Sequence, residues 1–336
     1  MLIDIDETPL IFRRHHIIRA YRPLHQSTYY YLTSAFKSNN ETLNFWSHFL
    51  PSLFIGYVFL IPELLNEGGM RFPLILLYTG IIFLFLCSSF SHLLHSKCFS
   101  SHVYFLILDF LGISTFSICT GIQRYLNSKS MGPIYDFGYI PLLLFASLGL
   151  QFTCTSYLFV CAPHWKFRLP LKMVSSFSVA CFIYVPLMQR YYDHELDDAT
   201  IHIHTKALFW LVLSGVFMVM KIPERFAPGL FDVVGYGHQL FHVCIFMVTW
   251  NLCEASRQDN NLLEEPLTIS NFLKISVLLV LLLVFALYCK VMSYMMAKIH
   301  SSKITFSQIE EESIINNCCG FIECYTHTIE ITKKIN

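Results

Sequence analysis

The chain has 336 residues, 54% of them hydrophobic and only 14% charged, with 23 basic side chains against 23 acidic ones. A mean hydropathy of +0.51 implies more apolar surface than one soluble core can bury, which excludes an ordinary soluble globular protein and points to an integral membrane protein. Zero formal net charge, with no long basic block outside the apolar segments, excludes nucleic acid as a partner.

Residues 1–44 are polar and mixed. They carry Arg13, Arg14, Arg19, Arg22 and Lys37, and the aromatic run Tyr29-Tyr30-Tyr31 suits a membrane interface. Asp4, Asp6 and Glu7 replace the basic start of a secretory signal peptide, so none is expected and the first spanning helix must target the chain. Segments of the length that crosses about 30 Å of hydrocarbon follow at 45–64, 74–94, 102–121, 140–162, 170–188, 205–222, 236–254 and 272–292. The expected fold is therefore all-α: a polytopic bundle of eight transmembrane helices with a tail over 293–336. The twelve cysteines are scattered, many of them inside the apolar segments (Cys87, Cys119, Cys154, Cys181, Cys244, Cys289), which suits reduced thiols rather than a disulfide framework.

Basic residues set the orientation, because lysine and arginine concentrate in cytoplasmic loops. Alternate loops hold six of them: Arg71, Arg124, Lys129, Arg190, Lys206 and Arg257. The N-terminal segment, the other loops and the tail hold sixteen, with Lys274 left over. Both termini are expected in the cytoplasm. The sequon Asn40-Glu41-Thr42 then lies on the side where it is not glycosylated; the competing reading, an external N-terminus, would expose it.

This topology converges several ionisable groups on one depth, near the cytoplasmic leaflet. Ser88 and His92 lie one turn apart near the inner end of the second span, and Asp109 lies about two turns into the third. His238 and His242, four residues apart in the seventh span, put both imidazoles on one helix face. Polar groups at such depths are costly and are usually functional or paired. Three histidines, with Asp109 holding a water, form the three-ligand, one-open-position pattern of a catalytic zinc site. A lone membrane-end histidine is ordinarily a packing residue, and His48, His95, His102, His164 and His194 are assigned to interfaces or loops. The pair His202 and His204 offers at most weak external metal binding. Cys318, Cys319 and Cys324 with His327 lack finger spacing, and palmitoylation suits them better.

At these residues the chain resembles the progestin and adipoQ receptor family. The resemblance rests on Asn40-Glu41-Thr42 through His48, on Ser88 and His92 followed by Asp109-Phe110-Leu111-Gly112-Ile113, and on Pro223-Glu224-Arg225 leading into His238-Gln239-Leu240-Phe241-His242. It covers roughly residues 18–255. The eighth span resembles the family's membrane progestin receptor branch. The resemblance implies a seven-helix core over 45–254, a cytoplasmic N-terminus and an intramembrane Zn2+ held by His92, His238 and His242, with Asp109 beside the metal-bound water and Ser88 its neighbour. Two positions depart from the family pattern: Ala20 stands where glycine is usual before Tyr21-Arg22-Pro23, and Gly237 where serine is usual before His238.

Two functions follow as expectations. In one, a plasma-membrane receptor takes a progestin-like steroid or other lipid between its helices and reports to a G protein through its cytoplasmic loops. In the other, zinc activates water against a ceramide-like amide, with Asp109 and Ser88 in the reaction. Zinc serving only as a structural tie between helices is a third role. Spacing alone does not choose among them.

Overall fold

The computed structural model describes residues 1–9, 12–128, 131–151, 168–192, 200–261 and 271–301. Among these described residues, an N-terminal segment and a short helix α1 (Thr28–Ser34) are followed by eight long helices: α2 (Thr42–Leu64), α3 (Phe72–Leu94), α4 (Phe99–Leu126), α5 (Pro133–Gln151), α6 (Arg168–Tyr192), α7 (Ile201–Met220), α8 (Gly237–Asn261) and α9 (Asn271–Ser301). They correspond one to one with the eight expected spans. Four of them, α2, α3 with the turn after it, α4 and α7, are long and apolar enough to cross a membrane on length and composition alone.

Phenylalanines and leucines such as Leu50, Phe145, Phe177, Phe209 and Leu283 are exposed, while serines, histidines and arginines are buried between helices. That inversion is what a lipid solvent demands, since acyl chains solvate apolar side chains and leave polar groups to find one another. The protein is an all-helical, multi-pass membrane bundle. Pro133 starts α5 seven residues ahead of the expected span, at a position where proline loses no helical hydrogen bond. The second half of the expected fourth span, 152–162, lies outside the described residues, as does the tail from 302 onward.

The axis of the fold is the antiparallel pair α3 and α4, with α2 and α8 packed against α3 and against each other. Gly112 makes the α3–α4 approach possible: a Cβ there would lie 2.9 Å from Cys87 Cβ and 3.1 Å from the Leu84 backbone. Close contact through a small residue is how helices associate where lipid supplies no hydrophobic drive. Gly56–Leu60 in α2 widens to a π turn five residues after Pro51. The N-terminal segment around Ile18 is tied to the loop before α8 by Asp232, which accepts from the Ile18 and Arg19 backbone N–H groups at 2.9 and 3.0 Å.

Candidate metal centre

The end of α3 is fixed by Arg22. Its guanidinium is 4% exposed and donates to the carbonyls of His92 and Leu93 at 2.7 Å each, and to Ser34 and Ser96 at 3.1 Å. A cation on the orphan carbonyls of a helix C-terminus satisfies them and complements the helix dipole. His92 is thereby held at a defined depth. The first two turns of α8 bring His238 and His242 against it. The ligand nitrogens of the three histidines lie within 4.8 Å of one another, and His92 Nε2 and His238 Nε2 are 3.2 Å apart. Nitrogens bound at 2.0–2.1 Å around a tetrahedral zinc are separated by about 3.3 Å, so this spacing fits a shared ion.

Hydrogen bonds on the far side of the rings select which nitrogens face inward. Glu41 Oε2 lies 2.8 Å from His92 Nδ1. An ionised carboxylate only accepts, so Nδ1 carries the proton and the Nε2 lone pair faces His238. Ser47 Oγ lies 2.8 Å from His242 Nδ1 and does the same work there. Such outer partners orient metal-binding imidazoles and raise their basicity. The residues present therefore fit zinc.

Glu41 is the hub of this support. Its side chain is 4% exposed and pairs with Arg14 Nε at 2.7 Å. It also accepts from Asn44 Nδ2 at 2.7 Å and approaches His95 Nε2 at 3.4 Å. Burial by itself raises its carboxyl, but the Arg14 charge and the hydrogen bonds from His92 and His95 prevail and hold it well below the ordinary carboxylate range. His102 Nδ1 extends the chain, 3.2 Å from His95 Nδ1. Glu41, His92 and His95 also bring ligand atoms together, but Arg14 already supplies the cation there.

Of the five residues singled out in the sequence, the three histidines meet directly. Ser88 is buried one turn before His92. Asp109, on α4, is close enough to the Cys87 thiol and the Tyr288 hydroxyl to act on both electrostatically. His48 corrects its assignment to an interface: it is 3% exposed and stacks on His242 with centroids 3.7 Å apart, both its nitrogens lacking a partner. His95 and His102 likewise belong to the site's surroundings. Arg14, Glu41 and Ser47 carried no role in the sequence reading, although Glu41 and Ser47 lie in the stretch running from Asn40 to His48. An acid three residues before Asn44, at the mouth of the first span, was the signal available. Asn40 is buried, and its carbonyl accepts from the Tyr236 hydroxyl at 2.8 Å, which leaves no room for a glycan.

Both departures from the family pattern have a structural counterpart. Ala20 has a φ of +71°, the left-handed conformation that glycine adopts freely. At Gly237 a Cβ would lie 2.9 Å from the carbonyl oxygens of both Ile222 and Phe217, so the end of α7 and the residues after it fill the space a serine would need. Its N–H donates to Glu224 at 2.6 Å.

The pattern of the haemolysin-III-related family matches residues 36–252, the span that contains the three histidines, Glu41 and Ser47. The chain belongs to the haemolysin-III-related family. Within it, this member is 29% identical over 271 residues to the membrane progestin receptor alpha-B of Danio rerio, covering 76% of each chain. It is 27% identical over 263 residues to the human membrane progestin receptor beta, with 74% and 73% covered. With the mouse membrane progestin receptor gamma the match is 26% over 317 residues, 85% of this chain and 91% of the relative. These matches bear out the resemblance to the progestin and adipoQ receptors, and to their progestin branch, drawn from the motifs.

Proposed function

We propose that this protein is a plasma-membrane receptor for a progestin-like steroid or another apolar lipid, built around a zinc ion held by His92, His238 and His242. The convergence of three imidazoles, two of them oriented from behind by Glu41 and Ser47, supports the metal. The names of the relatives support the ligand class. The excess of lysine and arginine at one end supports cytoplasmic termini, with the zinc near the cytoplasmic leaflet and the seven-helix core over 45–254 flanked by a pre-membrane segment and by span 272–292 and its tail.

In this reading the chain's own residues tie α3 to α8 across the site, while the N-terminal segment holds Glu41 through Arg14. A ligand between the helices shifts the equilibrium between bundle arrangements by its differential affinity for them. The cytoplasmic loops would pass that shift to a G protein. A second reading, a lipid amide hydrolase of ceramidase type, is favoured by one observation: three histidines leave a fourth position open. When bound, zinc there supplies Lewis-acid activation of water. In that reading Asp109 moves the proton and Ser88 lines the site.

Elemental analysis of the purified protein, together with binding of labelled progesterone and turnover of a fluorescent ceramide, tests both. Wild type is expected to hold about one zinc per chain that His238→Ala with His242→Ala loses, along with steroid binding. Ceramide turnover lost in parallel would favour the hydrolase. A folded wild type without zinc sinks the metal centre, and a zinc-loaded one that binds no steroid sinks the receptor reading.

A further inference from the structure

At the end of the bundle away from the histidines, α4, α6, α7 and α8 bury a second polar cluster. Its carboxylate is Asp259, in the last turn of α8. It accepts from Arg190 Nη1 and Nη2 at 3.1 and 3.2 Å, from His204 Nε2 at 2.9 Å, and from the Thr200 hydroxyl. A carboxylate offers about four acceptor positions. Asp259 is therefore saturated and has nothing left for another cation.

Another cation is present. Arg124, in the last turn of α4, is 3% exposed and close enough to His204 to act on it electrostatically. Its Nη1 donates to the Ile183 carbonyl at 3.1 Å, and the guanidinium carbon lies 4.2 Å from the centroid of the Tyr184 ring. These contacts fix the plane of the group. Its Nε and Nη2 have no partner. The two nitrogens share one edge of the guanidinium, the fork with which arginine binds carboxylate, sulfate or phosphate through two parallel hydrogen bonds. Buried donors rarely stay unmade, least of all charged ones. Around the same helix ends, His204 Nδ1, Ser256 Oγ, Thr120 Oγ1 and Gln123 Oε1 are also buried without partners.

We propose that the Nε–Nη2 edge of Arg124 is a binding site for an oxyanion: a carboxylate, sulfate or phosphate group. Its depth favours one borne by an amphiphile. Arg124 follows His102 by 22 residues on α4, about 33 Å of helix, which places it near the interface opposite the histidines across about 30 Å of hydrocarbon. An anionic headgroup would sit there with its apolar part along the helices. The site is independent of the steroid reading, because progesterone carries no charge.

The test titrates the purified full chain in detergent with oleate, with its uncharged methyl ester, and with sodium sulfate as the free-anion arm. Thermal midpoint and tryptophan fluorescence serve as readouts. Oleate is expected to bind at least tenfold more tightly than methyl oleate, the worth of one charge-assisted hydrogen bond, about 1.4 kcal/mol. Arg124→Gln should abolish that preference and Arg124→Lys should retain part of it. Stabilisation by sulfate that depends on Arg124 supports the oxyanion site with a free ion as its source. Equal binding of oleate and methyl oleate with no effect of sulfate overturns the proposal, as does a folded Gln variant that keeps the preference. Should the Gln variant not fold, the same titration of His238→Ala with His242→Ala decides: a preference for oleate that survives loss of the histidine site supports Arg124, and its disappearance overturns the proposal.

Discussion

Replacing Glu41 by glutamine removes one charge from the hub of the metal centre while keeping its shape. The amide oxygen can still accept from His92 Nδ1, but the amide N–H groups then meet Arg14 Nε, now 2.7 Å from the carboxylate. One of the two contacts must be lost. Loss of an outer partner of a metal-binding histidine typically weakens metal binding 10- to 100-fold, about 1.4–2.7 kcal/mol. Stability should fall separately, because Arg14 is left with no counter-charge. A wholly buried pair broken in this way costs about 3–5 kcal/mol, and since the Arg14 side chain is 25% exposed, about 2 kcal/mol is expected after solvent screening. The two effects come apart in the double variant Arg14→Gln with Glu41→Gln. It should recover part of the thermal midpoint, since no cation is stranded, yet bind zinc as weakly as the single variant. Competition with a chromophoric chelator measures the affinity, and a melting curve in detergent measures the stability. Zinc affinity of Glu41→Gln within twofold of wild type, or its restoration in the double variant, would refute the reasoning.

Ala20→Gly should stabilise the protein. A left-handed alanine costs about 1–2 kcal/mol and the greater unfolded-state freedom of glycine offsets part of it, leaving a gain of about 0.5–1 kcal/mol as a higher melting midpoint. Gly237→Ser, although it restores the residue usual in the family, should lower the midpoint. Its Cβ meets two backbone oxygens at 2.9 Å, and overpacking of this kind costs about 1–3 kcal/mol; an unchanged midpoint would mean that this backbone moves freely. His48→Phe preserves the stack on His242 and removes two unpartnered nitrogens, so equal or higher stability with unchanged zinc content is expected. Loss of zinc in that variant would mean that His48 does more than pack.

The three clustered histidines were legible in the sequence because each obeys a local rule. His238 and His242 share a face through helical periodicity, and His92 reaches their depth once charge asymmetry has ordered the spans. The residues that orient them were not legible for the opposite reason. Glu41 and Arg14 are 27 residues apart, and neither lies in an apolar segment where its presence would stand out. His48 looked like an interfacial residue because a histidine near a helix start usually is one, and only the packing of α2 against α8 places its ring on His242. For Asp109, periodicity supplies an expected depth but no neighbours; helix rotation decides which side chains it meets, and α4 brings it close enough to the Cys87 thiol and the Tyr288 hydroxyl to act on both electrostatically.

The sequence by itself determined the class of fold, the number of long helices, the order of the motifs and the three histidines, because hydropathy, helical period and charge asymmetry are each local properties. Tertiary structure decided which polar groups pair. A charge buried in a bundle is tolerated only beside its partner, and partners from distant helices are chosen by packing. Thus Glu41 went to Arg14 and His92, Asp259 went to Arg190 and His204, and Arg124 kept one edge of its guanidinium unmatched.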